Sequence, residues 1–252
     1  MKLVVFGCGT STGVPVIGCH CPVCSSPDPR NRRTRSSLLV QKDGRNILID
    51  TSTDLRAQSL ANGIERIDAV LFTHPHADHI HGIDELRTFN MVQEGPIPCY
   101  GNGHTIERIK VMFDYIFSNE EAESWRPNLT TTVIESPFSL FGTEVIPIDV
   151  FHGASSILGY RIGNAAYITD CSRLPDESLG KLRGLDVLML GALRHKPHPT
   201  HLSISQAVGV VEVLKPGRAV LTHLSHSLDY RTDGAKLPGN VELAYDGMEL
   251  EL

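Results

Sequence analysis

The chain has 252 residues, 41% of them hydrophobic, and is long enough to bury a substantial core. We expect one layered α/β domain over residues 1–252, or two intertwined halves. The net charge of -6 and isoelectric point near 6.0 disfavour nucleic-acid binding driven by overall charge. No apolar run approaches the roughly 20 residues needed to cross a bilayer. The N-terminus lacks the full apolar region and cleavage site of a signal peptide, so we predict a cytoplasmic protein without membrane contact.

The first half of the chain alternates predicted strands with turns and helices. Asp43-Gly44 is typical of a hairpin turn, and five apolar residues between 106 and 116 fall on one helical face. The predicted elements are strands over 2–7, 37–41, 46–49 and 69–72, helices over 54–62 and 83–89, a strand near 98–100 and a helix over 105–117.

The second half repeats this logic after an irregular polar segment, 118–130, which contains Trp125 and which we interpret as a surface excursion. A lid or a subunit contact is the alternative for that segment. The predicted elements are strands near 131–135, 143–150, 157–162 and 165–169, a short helix after Pro175, a strand over 186–190, a helix over 203–214, a strand over 218–221 and a closing hairpin near 241–252. This alternation favours two facing sheets with helices packed outside them.

Residues 73–82 hold the densest group of candidate metal ligands. They follow the apolar run 69–72 and precede a helical pattern, so they lie on a tight strand-to-helix turn. His74 and His76 alternate along an extended segment and can converge on one ion, whereas Asp78 and His79 can serve a second ion beside it. Imidazole and carboxylate suit zinc, iron or manganese, and a site without thiolates usually keeps an open position for water. A loop of solvated histidines is the weaker interpretation.

Polar side chains end three apolar strands in the second half: His152, Asp170 and His223. Taken singly, each is typical of a satisfied surface group. Taken with the first motif, they predict a shared edge of two sheets. That edge would present one metal to His74, His76 and His152 and a second metal to Asp78, His79 and His223, with Asp170 between them.

Three of the six cysteines, Cys19, Cys21 and Cys24, are clustered in the loop 18–25. A disulfide framework is disfavoured in a cytoplasmic chain of this size, whereas three thiolates can bind zinc if a fourth ligand is supplied. The candidates for that ligand are His20, which is close in the loop, and His226, three residues after His223. Buried or free cysteines are the alternative.

The His-x-His-x-Asp-His block and the strand-end residues resemble the motif set of binuclear metallo-β-lactamase-fold hydrolases over nearly the whole chain. The resemblance implies an αββα sandwich of two facing mixed sheets with helices outside, and a carboxylate at Asp170 that bridges both ions. The complete ligand set is similar to phosphodiesterases and tRNA 3′-processing nucleases. True β-lactamases usually have a cysteine or another ligand at one site, so antibiotic hydrolysis is disfavoured.

A Gly-x-Gly-Thr-Ser-x-Gly-Val-Pro start, the cysteine loop, Thr-Asp, His-Leu-Ser and a final His-Leu-Ser-His narrow the resemblance to the PhnP-like branch. That branch is named for the phosphoribosyl 1,2-cyclic phosphate phosphodiesterase of phosphonate breakdown. The resemblance implies hydrolysis of a small or cyclic phosphodiester to a monoester, with two divalent cations (Zn or Mn) and one structural Zn. The fold often forms homodimers, although the residues alone do not decide the oligomeric state.

Two cations about 3.5–4 Å apart can share a hydroxide that attacks phosphorus in line. Asp78 or Asp170 would orient that hydroxide or accept its proton. His201 matches the His-Leu-Ser element that phosphodiesterases of this fold use near the phosphate, so we predict a general acid or a phosphate ligand there. A neighbour of a helix cap is the alternative for His201. His195 and His198, in the same loop, are expected to be exposed to solvent.

Two other functions compete with a small-molecule phosphodiesterase. RNA 3′-endonucleases of this fold generally use a long basic, glycine-rich arm to bind tRNA, whereas residues 103–130 are mildly acidic and helical. Polyanion binding without concentrated positive charge would be weak at cellular salt. A non-hydrolytic role, as in cofactor-biosynthesis or carrier relatives with the same cysteine loop, would suit an incomplete second metal site. Here every ligand of the pair is present, which favours catalysis.

Overall fold

Two seven-stranded mixed sheets face each other in the computed structural model, which describes residues 1–118 and 125–252. The strands of the first sheet are β1 (Lys2–Gly7), β2 (Ser37–Lys42), β3 (Arg45–Ile49), β4 (Ala69–Leu71), β5 (Ile97–Gly101), β6 (Leu129–Val133) and β14 (Glu249–Glu251). Those of the second are β7 (Phe138–Leu140), β8 (Thr143–His152), β9 (Ser155–Ile162), β10 (Ala165–Ile168), β11 (Val187–Gly191), β12 (Arg218–Thr222) and β13 (Val241–Leu243). Of the predicted excursion 118–130, residues 119–124 lie outside the described part of the chain.

Each sheet joins an antiparallel part to a parallel part. In the first sheet the strand order is β14-β1-β2-β3-β4-β5-β6, and β3 to β6 are parallel. In the second the order is β13-β12-β11-β10-β9-β8-β7, and β10 to β13 are parallel. Because parallel strands end at the same edge of a sheet, polar residues that follow them are brought together there.

Short helices cover the outer faces of both sheets. They are α1 (Leu55–Ala61), α2 (Ala77–Ile80), α3 (Leu86–Val92), α4 (Gly103–Met112), α5 (Asp114–Phe117), α6 (Asp176–Lys181), α7 (Ile204–Leu214) and α8 (Tyr230–Gly234), with 3₁₀ turns at Pro29–Asn31 and Ile83–Glu85. The helix predicted over 105–117 is two helices, because the backbone leaves the helical region at Phe113 (φ -122°, ψ 46°). Among the described residues, no helix has the length and apolar character needed to span a membrane.

Three apolar layers produce the sandwich. In β1, Leu3 and Val5 join the layer between the sheets, whereas Val4 and Phe6 join the outer layer with α1, α3 and α4. A third layer packs the other face of the second sheet against α7 through Ala207. Alternating side chains of one strand point to opposite faces, so each strand serves two layers. The predicted αββα sandwich is confirmed.

The two predicted hairpins have different outcomes. β2 and β3 pair antiparallel through Asp43 and Gly44, both with positive φ (51° and 74°), as a tight hairpin turn requires. The closing hairpin predicted near 241–252 is wrong. β13 pairs with β12, whereas β14 crosses to the first sheet and pairs with β1. Asp246 directs this crossing, since its carboxylate accepts hydrogen bonds from the Cys8 and Thr34 backbone amides (3.0 and 2.7 Å).

Candidate metal centre

The candidate metal ligands all follow strands at one edge of the sandwich. Residues 73–79 connect β4 to α2, and β8 ends at His152. Asp170 and His223 follow β10 and β12, and both have left-handed backbone conformations (φ 49° and 58°). The chain therefore turns sharply where each strand ends, and the polar side chain is presented at the edge instead of continuing along the strand.

The first donor group consists of His74, His76 and His152, whose candidate ligand atoms lie within 4.8 Å of one another. His74 Nε2 and His76 Nδ1 are 3.0 Å apart. His152 Nδ1 donates to the Thr200 carbonyl (2.8 Å), which leaves its Nε2 as an electron-pair donor. Such hydrogen bonds on the far nitrogen are typical of imidazoles that bind metal.

The second donor group contains Asp78, His79, Asp170 and His223, also within 4.8 Å. Asp170 Oδ1 lies 3.2 Å from His79 Nε2 and 3.1 Å from His223 Nδ1. The other oxygen, Oδ2, lies 3.8 Å from His74 Nε2 in the first group. Asp170 thus stands between the two groups, with one carboxylate oxygen towards each.

Asp50 is a part of this centre that the sequence interpretation missed. It is fully buried with a left-handed backbone (φ 64°) and follows β3. Its Oδ2 accepts hydrogen bonds from His79 Nδ1 and Thr73 Oγ1 (both 2.7 Å), and Thr73 Oγ1 in turn contacts His74 Nδ1 (2.9 Å). Its position directly after an apolar strand, like those of Asp170 and His223, was the available signal.

The electrostatics keep both carboxylates of the second group ionised. Burial raises the pKa of Asp170, but His223, His79 and His74 outweigh it and hold that pKa well below the usual range. The pKa of Asp78 is lowered in the same way, against burial, by His79 and His223. Burial lowers the pKa of His74 and His223, so both imidazoles are neutral donors at neutral pH.

One buried atom tests whether the residues fit a cation. His79 Nε2 is buried without a hydrogen-bond partner and faces Asp78 Oδ2 and Asp170 Oδ1, each at 3.2 Å. Although burial lowers the pKa of His79, Asp170, Asp78 and Asp50 raise it well above the usual value, because a positive charge is favoured there. A divalent cation between these atoms would supply that charge and the missing partner, so the donor set fits a metal.

His201 lies against both donor groups. Its Nδ1 is 3.9 Å from Asp170 Oδ2, and its ring stacks on His223 with centroids 5.0 Å apart. Burial lowers its pKa to about 3 although Asp170 opposes the shift. His195 is exposed, as expected, and lies 3.3 Å from Asp233. His198 is partly buried beside His201 (centroids 5.1 Å apart), so the prediction of solvent exposure is wrong for it.

The cysteine loop forms a separate four-donor group. The sulfurs of Cys19, Cys21 and Cys24 lie 3.3, 3.6 and 3.5 Å from His226 Nδ1. His20 is exposed, so of the two candidates only His226 joins the thiols. A hydrogen bond from the Cys24 backbone amide lowers the pKa of Cys21 to about 6, and burial raises that of Cys24 to about 11. Three sulfurs and one imidazole suit tetrahedral zinc.

Known proteins share this arrangement. Residues 45–224 match the family described as the Beta-lactamase superfamily domain. The crystal structure of a new diphosphatase from the PhnP family is 45% identical, with a TM-score of 0.93, and the match covers 99% of this chain and 96% of that one. Zinc-bound PqqB from Methylobacterium extorquens has the same fold at 22% identity (TM-score 0.79, 100% of both chains).

A curated relative is considerably longer than this chain. Octanoyltransferase from Porphyromonas gingivalis is 38% identical over 253 residues, which are 99% of this chain and 51% of that protein. The chain therefore spans about half the length of that relative.

Proposed function

This chain belongs to the metallo-β-lactamase superfamily and within it to the PhnP family, and we propose that it hydrolyses a small or cyclic phosphodiester to a monoester. A hydrolase is supported by the fold and by the diphosphatase relative. The observation that carries the finer proposal is the position of Asp170 between two complete donor groups. Two cations held at that spacing suit in-line displacement at phosphorus.

We assign the proposed ions to the donors that the structure brings together. Two divalent cations, zinc or manganese, would be held by His74, His76, Asp78, His79, His152, Asp170 and His223, and a structural zinc by Cys19, Cys21, Cys24 and His226. When bound, the two cations supply positive charge that lowers the pKa of water and stabilises negative phosphoryl oxygens. Asp50, through its hydrogen bond to His79 Nδ1, orients that ring.

Asp78 and Asp170 are the groups that can hold and deprotonate the attacking water. Both are ionised, because their pKa values are lowered by the surrounding imidazoles against the effect of burial. Each is buried and fixed by neighbours, so an oxygen atom is presented in a defined direction without a loss of side-chain freedom during the reaction.

His201 is the candidate to assist the leaving group. With its pKa lowered by burial, it is a neutral imidazole at neutral pH and can donate an N–H hydrogen bond to a phosphoryl oxygen. A substrate anion beside the ring raises its pKa and favours the protonated form. A leaving alkoxide can then take its proton from His201.

A diphosphate linkage is the second candidate substrate, because the 45% identical relative is a diphosphatase. The same donor groups would serve it, since phosphorus is attacked in both reactions. The leaving group would then be a phosphate, which is a weaker base than an alkoxide and depends less on a proton from His201. Dependence on His201 therefore separates the two substrate classes.

The other proposed functions fit the molecule less well. An RNA endonuclease would require concentrated positive charge, whereas the net charge is -6 and α4 carries Glu107 beside Arg108 and Lys110. A carrier would not need both donor groups to be complete. We propose a cytoplasmic enzyme for a small substrate, without a membrane or nucleic-acid partner, that is able to form a homodimer. Six free cysteines suit the reducing cytoplasm.

A substrate panel tests the proposal with zinc- or manganese-loaded protein. It contains an alkyl and an aryl phosphodiester, ribosyl 1,2-cyclic phosphate, 2′,3′- and 3′,5′-cyclic nucleotides, a diphosphate diester and a phosphomonoester, with His76→Ala as the blank. We expect diester turnover that vanishes in the blank and an untouched monoester. His201→Gln should slow the alkyl diester by about 10²–10⁴-fold and the aryl diester much less.

His195→Gln is the matched control, because it changes an exposed imidazole of the same loop. Turnover of the diphosphate alone would replace the diester with the anhydride as substrate. No turnover with both metals demonstrably bound would exclude the hydrolytic proposal and favour a binding protein.

A further inference from the structure

The second sheet contacts the backbone that leads into the metal-binding turn of the first sheet. The Tyr160 hydroxyl, on β9, donates a hydrogen bond to the Phe72 carbonyl at 2.6 Å. Two residues earlier on the same strand, the Leu158 amide donates to the Thr73 carbonyl at 3.1 Å. Phe72 and Thr73 directly precede His74, so β9 holds the two peptide groups from which the histidine segment begins.

The same two residues use their amides in the opposite direction. The Phe72 amide donates to the Tyr100 carbonyl (2.7 Å) on β5, and the Thr73 amide donates to Asp50 Oδ1 (2.8 Å) after β3. Their N–H groups are therefore bonded to the first sheet and their carbonyls to the second. This short segment fixes the position of one sheet edge relative to the other.

Burial makes the tyrosine bond important for this arrangement. Tyr160, Phe72 and Thr73 are all fully buried, so no bulk water replaces the hydroxyl if it is removed. A buried carbonyl that loses its donor is costly in a low-dielectric interior. The segment would then shift towards another donor and carry His74 with it.

β9 is also packed closely against the strand that leads to Asp170. A Cβ atom on Gly159, between Leu158 and Tyr160, would lie 2.3 Å from Ile168 Cδ1 and 2.9 Å from the Tyr167 carbonyl, both on β10. This close approach requires glycine. β9 therefore contacts the backbone before His74 on one side and the backbone before Asp170 on the other.

We propose that Tyr160 is a positioning residue for the metal centre. Its hydroxyl sets the distance between the histidine segment 74–79 of the first sheet and the donors Asp170 and His152 of the second. This inference rests on the proposed metal-dependent function and adds a residue that touches neither a donor side chain nor the substrate.

Tyr167 is a matched control in the same layer. It is 1% exposed, belongs to the same apolar cluster between the sheets, and its hydroxyl has no hydrogen-bond partner among the described residues. Tyr167→Phe removes the same atom from the same environment as Tyr160→Phe, but it breaks no hydrogen bond. Any difference between the two variants therefore reports on the bond to Phe72.

The experiment compares the two variants with the wild type by three measurements. These are amide hydrogen exchange of residues 73–79 in metal-free protein, metal affinity by chelator competition, and the absorption spectrum of the cobalt-substituted centre. For Tyr160→Phe we expect faster exchange of the segment, an altered cobalt spectrum and about tenfold weaker metal binding. Tyr167→Phe should match the wild type in all three.

Equal behaviour of the two variants, or a Tyr160→Phe protein that loses thermal stability while its metal affinity and cobalt spectrum are unchanged, would overturn the proposal. Hydrogen exchange and metal affinity do not depend on the substrate. If the wild type hydrolyses no diester, these measurements still decide the role of Tyr160, so the two proposals fail separately.

Discussion

Individual residues at strand ends carry unusual backbone conformations in this protein. Asp50, Asp170 and His223 all have positive φ, which costs a non-glycine residue roughly 1–2 kcal/mol. Aspartate tolerates this region better than histidine does. At His223 the cost is offset by bonds that hold the bend, including the Leu224 amide on the Cys8 carbonyl (2.8 Å). Strain is therefore concentrated where the polar side chains meet.

Asp50→Asn tests the residue that orients His79. The variant loses the negative charge that holds the His79 Nδ1–H and opposes an N–H₂ group to two donors, so the ring is no longer fixed. We expect the affinity of the second cation to fall by about 10–100-fold, measured by chelator competition. Asp43→Asn is the control, because Asp43 has the same backbone conformation (φ 51°) in an exposed turn. Equal affinities in the two variants would contradict the orienting role.

At the scale of elements, two loops connect the cysteine group to the metal centre. His226 lies three residues after His223, so one short loop contributes to both groups. The buried Arg33 guanidinium holds this loop through the carbonyls of Ser225 (3.0 Å) and Leu228 (2.8 Å). The cysteine group thus attaches the N-terminal loop to the segment that carries His223.

Cys21→Ser tests this connection. Loss of one thiolate should remove one zinc per chain, measured by elemental analysis, and lower the melting temperature, because about 1 kcal/mol corresponds to 2–4 °C in a protein of this size. Cys99→Ala is the control, since Cys99 is a buried thiol outside the group. A Cys21→Ser protein with the full zinc content of the wild type would rule out the proposed zinc site.

At the scale of the whole molecule, stability depends on pH through buried carboxylates such as Asp68. Arg45 (2.8 Å) and Arg66 (2.7 Å) contact its nearly buried carboxylate. Burial raises the pKa of Asp68, but these contacts and the Asn46 amide lower it below its ordinary value. Because the folded-state pKa lies below the unfolded one, this stabilisation is complete above about pH 4 and is lost as the pH falls through the folded-state pKa.

Asp68→Asn should therefore lower the free energy of unfolding by about 1–3 kcal/mol at pH 7, and by progressively less as the pH falls below 4. Denaturant unfolding at a series of pH values measures this difference. Glu107→Gln, an exposed change on α4, is the control. A difference between Asp68→Asn and wild type that stays constant from pH 7 to acid conditions would contradict the assignment.

The local features of this protein could be predicted from its sequence. Alternating apolar residues predicted most strands, Asp43-Gly44 predicted the first hairpin, and the spacing of residues 74–79 and 19–24 predicted two groups of metal donors. These predictions succeed because each depends on neighbours in the chain, where spacing directly sets which side chains can converge.

Tertiary packing decided the features that depend on distant residues. It placed His226, and not His20, with the thiols, brought Asp50 under His79, and connected Tyr160 to Phe72, a contact between residues 88 positions apart. It also separated β13 from β14, although a turn between two short strands is the same local signal in a hairpin and in a crossing between sheets. Such contacts form only when the sheets pack, because their free energy comes from burial and hydrogen bonds between segments whose spacing along the chain carries no information about them.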